Sequence, residues 1–206
     1  MKDTTIKIVV NEIYNRIKQY QRFLITTHVR ADGDGIGSEI ALYHTLTGMG
    51  KSVCIVNDSP IPQIYKFIIP DTGMCIYPEV SQDHAEVVFT LDSPTLERLS
   101  KIQEIIPKDA IIINIDHHIS NEYFGNINWV ADDVCATGEI ILALLKEANV
   151  DITPDIATAL YVSIVTDTGR FTHSNTTPEA LRAAAFLRAR GKAYRNFQKR
   201  LQYEPL

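Results

Sequence analysis

Eight side chains in four short stretches are of the kinds that bind cations and move protons. "THVRADGDGIGS" supplies His28, Asp32 and Asp34, and "TLDSP" supplies Asp92. "INIDHHISN" supplies Asp116, His117 and His118, and "SIVTDTGRF" supplies Asp167. If Asp32, Asp34, Asp92 and Asp167 share one pocket they repel strongly. A like-charged pair about 4 Å apart costs roughly 4 kcal/mol at an effective dielectric near 20. Such a group must take up protons or bind cations. The histidines favour cations, because neutral imidazole is a common ligand. A mixed oxygen and imidazole set without thiolate suits Mn²⁺ or Mg²⁺, with Co²⁺, Zn²⁺ or Fe²⁺ as alternatives. Two divalent ions would offset the four carboxylates charge for charge.

Taken singly, each stretch has an ordinary reading. Asp-Gly-Asp-Gly is usually a turn. Asp92 before Ser93-Pro94 could cap a helix, and Asp167 before Thr-Gly could simply end one. "GDGIG" is spaced G-x-G-x-G, so the dinucleotide fingerprint G-x-G-x-x-G fails. His44 and His84 have no sequence partners and read as structural or solvent-facing.

The case for one pocket comes from the elements that must position these residues. "RFLITT", "SVCIVN", "AEVVFTL" and "DAIIINI" are short β-branched runs that read as buried strands. Helical patterns separate or follow them: residues 5–20, "GIGSEIALYHTLTGMGKS", "ATGEIILALLKEANV", "PDIATALYVSIVTD" and "TPEALRAAAFLRARG". The alternation predicts an α/β fold, a parallel Rossmann-like sheet with helices on both faces and a helical C-terminal part. Three strand runs end in His28, Asp92 and Asp116-His117-His118. In a parallel sheet these ends open on the same edge, where such folds bind ligands. Asp167 closes a helical pattern, and Gly169 permits a sharp turn toward that edge. Segment 58–85, rich in Pro, Asp and Gly, reads as a loop-bearing connection.

The chain has 206 residues and a formal net charge of −5. That length can bury a core as one domain, and the charge argues against a broad basic surface for long nucleic acid. No apolar run approaches the roughly 20 residues of a membrane helix, and the N-terminus lacks the pattern of a secretory signal. Three widely spaced cysteines form no CxxC pair. Free thiols in a reducing cytoplasm are the expectation.

Together the four stretches resemble the motifs of the DHH phosphoesterase superfamily. "HVRADGDGIGS" is similar to the first motif, with Ala31 where proline is common. "LDSPTLER" is similar to the second, "IDHHISN" to the name-giving third and "TDTGRF" to the fourth. The resemblance implies two divalent ions, Mn²⁺ first. His28 and Asp32 would bind one, Asp34, His117 and Asp167 the other, and Asp92 would bridge them. His118 would face the substrate phosphate, with Asp116 orienting the imidazoles beside it. Paired ions make a strong nucleophile from water at neutral pH and clamp phosphoryl oxygens. A protonated His118 could stabilise developing charge or assist the leaving oxygen. Arg98 and Arg170 are candidate helpers, Arg98 more often a structural ion-pair partner.

The layout, a helix followed directly by the first motif, looks like the branch of oligoribonucleases that also dephosphorylate phosphoadenosine phosphate. The expected substrates are short RNA and the 3'-phosphate of adenosine 3',5'-bisphosphate. The alternatives are cyclic dinucleotides, polyphosphate and pyrophosphate, or a metal- or nucleotide-binding module without turnover. Residues 1–190 would be the catalytic domain and 191–206 the start of a linker to a C-terminal substrate-binding domain absent from this sequence. Oligomeric state stays open, a homodimer included.

Overall fold

A computed structural model describes residues 3–77 and 85–191. Helix α1 (Asp3–Gln19) turns one stripe inward, Val10, Ile13 and Ile17, the amphipathic spacing of its sequence. It leads into β1 (Arg22–Thr27), α2 (Gly33–Gly48) and β2 (Ser52–Asn57). A 3-10 helix over Gln63–Ile68 and a three-residue strand, β3 (Met74–Ile76), follow within the segment read as a loop. Then come β4 (Val87–Leu91), a kinked 3-10 stretch (Leu96–Glu104), β5 (Ile111–Asp116) and β6 (Ile127–Val130). Three helices complete the described chain: α3 (Thr137–Glu147), α4 (Pro154–Asp167) and α5 (Pro178–Arg188). Helices α4 and α5 start alike, with Thr153 and Thr177 capping the first turn and proline at the first helical position. Among the described residues no helix is long and apolar enough to cross a membrane.

All six strands pair in parallel, in the order β3–β2–β1–β4–β5–β6. Alternate strand residues face opposite ways. Phe23, Ile25, Val87, Phe89, Leu91, Ile113 and Ile115 join the large core with the α-helices. Leu24, Val56 and Val88 face the other side, where Leu99 and Ile102 of the 3-10 stretch cover them. Helical segments therefore pack on both faces. The strand order reverses between β1 and β4, and the chain leaves these two strands in opposite directions. A crevice opens there at the carboxyl ends of the strands. His28 follows β1 directly, and Asp92 follows β4.

Sequence periodicity missed β3 and β6. Both are edge strands of three or four residues, too short to display a period. They exist because their neighbours offer an unpaired edge. Cys54 and Cys75, far apart in sequence, meet across β2 and β3 as free thiols with Sγ atoms 4.0 Å apart. His84 and residues 192–206, with most of the expected linker, lie outside the described residues.

One buried acid lies just behind the crevice. Glu39 of α2 is fully buried, and Asn57 at the end of β2 donates to its Oε2 at 2.9 Å. Burial pushes the Glu39 carboxyl up from 4.5 to about 8, and the Asn57 amide only partly opposes this. The folded state thus holds a proton that the unfolded chain releases near pH 4.5. Stability from Glu39 is complete below that value and is lost as pH rises toward 8. Glu39→Gln, which keeps the neutral shape, should flatten the pH dependence of melting between pH 5 and 8 relative to wild type. Parallel thermal melts check this.

Candidate metal centre

The first loop is shaped by Asp32, which caps α2. Its Oδ1 accepts from the backbone N–H groups of Asp34 (2.9 Å) and Gly35 (3.4 Å). Asp34 then lies inside the first turn, fully buried, while the Asp32 side chain stays half-exposed. Asp92 is held differently: its backbone has φ of 54°, a left-handed conformation that aspartate tolerates better than most residues. Its N–H donates to the Ile115 carbonyl of β5 at 3.0 Å.

These residues and their partners on β5 and α4 converge. His28 Nε2 lies 3.5 Å from Asp92 Oδ2 and 4.0 Å from Asp32 Oδ1. His117 Nε2 lies 3.6 Å from Asp34 Oδ2, 3.6 Å from Asp92 Oδ1 and 3.8 Å from Asp167 Oδ2. Ligand atoms fall into three groups, each within 4.8 Å: His28–Asp32–Asp92, Asp34–His117–Asp167 and Asp92–His117–His118. Asp92 belongs to two of them. Among the six residues expected from sequence as ligands, none lies apart from the cluster.

The electrostatics are those of a site built for cations. Burial, then the charges of Asp92, Asp167 and Asp32, push Asp34 well above the usual carboxylate range. Burial and the neighbouring aspartates also raise Asp167, although His117 opposes them. Asp92 runs the other way. Burial would raise it, but the hydrogen bond from His28 and the charges of His117, His28 and His118 outweigh burial. Burial disfavours charge on His28, yet Asp92 more than compensates and raises its pKa. His117 Nε2 is buried, has no hydrogen-bond partner and faces three carboxylates. A nitrogen lone pair and convergent carboxylate oxygens, with no thiolate, fit one or two divalent cations.

The sequence did not reveal what orients these ligands. Asp34 is firmly held: Thr137 N–H donates to Oδ2 at 2.7 Å, and Gly138 N–H (3.1 Å) and the Ser163 hydroxyl (2.5 Å) donate to Oδ1. The first two donors are the free N–H groups at the start of α3, a place that favours negative charge. Thr137 Oγ1 also donates to Asp92 Oδ1 at 3.2 Å. Asn175 Nδ2 donates to Asp167 Oδ2 at 3.1 Å. Of these residues only Ser163 left a trace in sequence, four positions before Asp167 on the same helix face. Ser163→Ala should weaken Mn²⁺ affinity by about 10–100-fold, read by calorimetric titration.

Asp116 and His118 form an arm that meets the cluster at Asp92, whose Oδ1 lies 3.7 Å from His118 Nδ1. Asp116 is fully buried, its Oδ2 accepts from Asn121 Nδ2 at 2.7 Å, and its Oδ1 is 2.7 Å from His118 Nδ1. That bond places the Nδ1 proton toward Asp116 and leaves Nε2 for other partners. The Asp116 hydrogen bond, against burial, raises the His118 pKa. Among the described residues Asp116 orients His118 alone, with no bond to His117. Arg98, read from sequence as a structural ion-pair partner, instead places Nη2 3.2 Å from His28 Nδ1. His44 is half-buried on α2, edge-on to Tyr43 and outside the cluster.

A family model described as "DHH family, N-terminal domain" matches residues 22–164, the span from β1 into α4. The chain belongs to the DHH family. A bifunctional oligoribonuclease and PAP phosphatase of Thermus thermophilus is 36% identical over 181 residues, 88% of this chain and 54% of that protein. An exopolyphosphatase-related protein of Bacteroides fragilis superposes with a TM-score of 0.89 at 23% identity, over 97% of this chain and 62% of the other. RecJ of Thermus thermophilus in complex with Mn²⁺ shares the fold at a TM-score of 0.51 and 11% identity, over 87% of this chain and 26% of its own. The chain spans about half the length of the curated DHH relatives it matches.

Proposed function

We propose that this chain is the catalytic half of a phosphoesterase that uses two divalent cations, Mn²⁺ first. Its substrates are short oligoribonucleotides, cleaved from the 3' end, and the 3'-phosphate of adenosine 3',5'-bisphosphate. One observation carries the reading: three ligand groups, two of them sharing Asp92, meet around a buried, unpartnered His117 Nε2. His28 and Asp32 would hold one ion, Asp34, His117 and Asp167 the other, with Asp92 between them. Bound there, divalent cations lower the pKa of water toward neutrality and offset charge on phosphoryl oxygens. The name of the Thermus relative supports the choice of substrates.

The chain's own groups supply the rest. Asp116 fixes the His118 ring, so its outer nitrogen can donate to a phosphoryl or leaving oxygen. Asn121, clamped between Asp116 and Asn114 (2.8 Å), keeps that carboxylate from turning. Thr137, Ser163 and Asn175 hold the metal-facing carboxylates in one rotamer, so little reorganisation is needed when substrate arrives. In this reading residues 191–206 lead to a second domain that grips the nucleotide, and the protein works in the cytoplasm.

The test is a substrate panel with Mn²⁺ or chelator, on this chain and on the full-length protein. Two-to-five-nucleotide RNA and adenosine 3',5'-bisphosphate should be hydrolysed only with metal, and faster by the full-length protein. Preference for pyrophosphate, polyphosphate or a cyclic dinucleotide would redirect the substrate assignment. Metal uptake without turnover in either form would instead mark a binding module.

A further inference from the structure

The parallel sheet brings together two cysteines that stand 21 residues apart in the chain. Cys54 of β2 and Cys75 of β3 are free, half-buried thiols with Sγ atoms 4.0 Å apart. Cys75 lies opposite Val56, so Cys54, two residues earlier on β2, points to the same face and meets it diagonally. That face carries the smaller core of Leu24, Val56 and Val88, against which Cys54 and Tyr77 pack. The third cysteine, Cys135, is buried in the main core.

Two fates are open to such a pair, a disulfide or a shared cation, and distances decide between them. Strands in a sheet lie about 4.8 Å apart and rise about 3.3 Å per residue, so Cα atoms two positions out of register are about 8 Å apart. A disulfide needs Cα atoms within about 7 Å and sulfurs about 2.05 Å apart. Oxidation would have to drag β3 along β2 against its ladder. There Ile55 N–H donates to the Gly73 carbonyl at 2.7 Å and Tyr77 N–H to the Asn57 carbonyl at 2.9 Å. A cation asks for no such movement. Thiolate sulfurs sit about 2.3 Å from a d¹⁰ ion, so two of them 4.0 Å apart subtend about 120° at an ion between them. That is the angle of trigonal coordination.

The surroundings narrow the choice of ion. Burial and the neighbouring sulfur push the Cys54 thiol up to about 12, so the free pair stays protonated at neutral pH and reacts slowly with oxidants. Charge enters only with a cation that replaces the protons. Among the described residues, the sets of three or more ligand atoms close enough to share an ion include neither cysteine. Zn²⁺, which takes four ligands in a closed site, is thus short of partners. A soft ion of low coordination number suits two sulfurs alone, and thiolates select Cu⁺.

We infer that Cys54 and Cys75 form a soft-cation site for Cu⁺, separate from the oxygen and imidazole cluster at the crevice. Binding involves no change of oxidation state: two S–H bonds break, two Cu–S bonds form and two protons leave to solvent. The two sites divide cations by softness, Mn²⁺ to carboxylate and imidazole, Cu⁺ to sulfur. An ion held between β2 and β3 also ties the edge strand to the sheet.

The experiment titrates Cu⁺, kept reduced without air, into the Mn²⁺-saturated chain in competition with the chelator bicinchoninate. Wild type is compared with Cys54→Ala, Cys75→Ala and, as a control, Cys135→Ala. Wild type should hold one Cu⁺ per chain against the chelator, show thiolate-to-copper absorption in the near ultraviolet and gain melting temperature. Cys54→Ala and Cys75→Ala should each lose the ion at the same chelator concentration while still taking up Mn²⁺. Cys135→Ala should behave as wild type. Phenylarsine oxide, which bridges two thiols, should block Cu⁺ uptake by wild type, a check that needs no substitution. Cu⁺ retained by a Mn²⁺-binding Cys54→Ala protein would overturn the site, as would no uptake by reduced wild type. A Cys54–Cys75 disulfide found in place of copper uptake would assign the pair to redox chemistry instead.

Discussion

Asp92→Asn is expected to cut Mn²⁺-dependent phosphoester hydrolysis by about 10³–10⁴-fold and to weaken uptake at both ion positions together. The carboxylate is common to two ligand groups. Its Oδ2 faces His28, and its Oδ1 faces His117, His118 and the Thr137 hydroxyl. Asp92 and His117 each belong to two of the three groups, every other ligand to one, and only Asp92 joins the His28–Asp32 group to His117. Divalent ions contribute several kcal/mol to stabilising a phosphoryl transition state, and about 1.4 kcal/mol is a factor of ten in rate. Asparagine suits the test, being nearly isosteric with aspartate and tolerant of the φ of 54° at this position. The variant should therefore melt cooperatively in chelator. Wild type should gain melting temperature on adding Mn²⁺, as binding to the native state demands, and the variant should gain little. Calorimetric stoichiometry, melts with and without metal, and kcat on the substrate panel check these outcomes. A variant that binds two ions and turns over normally would show that Asp92 is not shared.

The second large effect is expected at a glycine that contacts no ligand. Gly37→Ala should destabilise the protein by about 1–3 kcal/mol, lowering the melting temperature by about 2–4 °C per kcal/mol in a chain of this size. Helix α2 packs against α4 more extensively than any other pair of elements. At Gly37 a Cβ would strike the Ala159 carbonyl and lie 2.9 Å from the Ser163 nitrogen. Both obstacles are helix backbone and cannot swing aside, so the helices must part. Asp34 opens α2 and Asp167 closes α4, so parting them moves two members of one ligand group. Ser163, whose hydroxyl holds Asp34, is drawn away as well. Mn²⁺ affinity should fall with stability, which a core substitution far from the crevice would not cause. Gly48→Ala is the matched control: nothing lies within 4 Å of its added Cβ. It should leave metal affinity unchanged and stabilise slightly, as alanine does in a helix. Thermal melts and Mn²⁺ titration of both variants decide the point.

Much of this was written locally. Runs such as "RFLITT" and "DAIIINI" are buried on both sides, and helices such as "PDIATALYVSIVTD" carry their own start and stop signals. Hydrophobic period and capping therefore set the helices and the four central strands, and with them a parallel α/β fold. Given that fold, chemistry at the ends of three strands had to share one edge. The strand-end members of the cluster follow from sequence for that reason.

What the sequence could not reach depends on partners distant along the chain. Edge strands β3 and β6 are too short to carry a period and form only because β2 and β5 present unpaired N–H and C=O groups. Thr137, Asn121 and Asn175 are unremarkable by type. They become holders of carboxylates only when α3, the loop after β5 and the turn after α4 are brought to the crevice. Gly37 looks like one more glycine until α4 lies across it. The left-handed φ of 62° at Arg170 is likewise invisible in "TDTGRF", since a backbone angle is fixed by the bonds and packing around it. Sequence determines which groups can do chemistry and roughly where they gather. Tertiary structure decides what holds them still, because an oriented hydrogen bond or a close helix contact needs two surfaces and each segment carries only one.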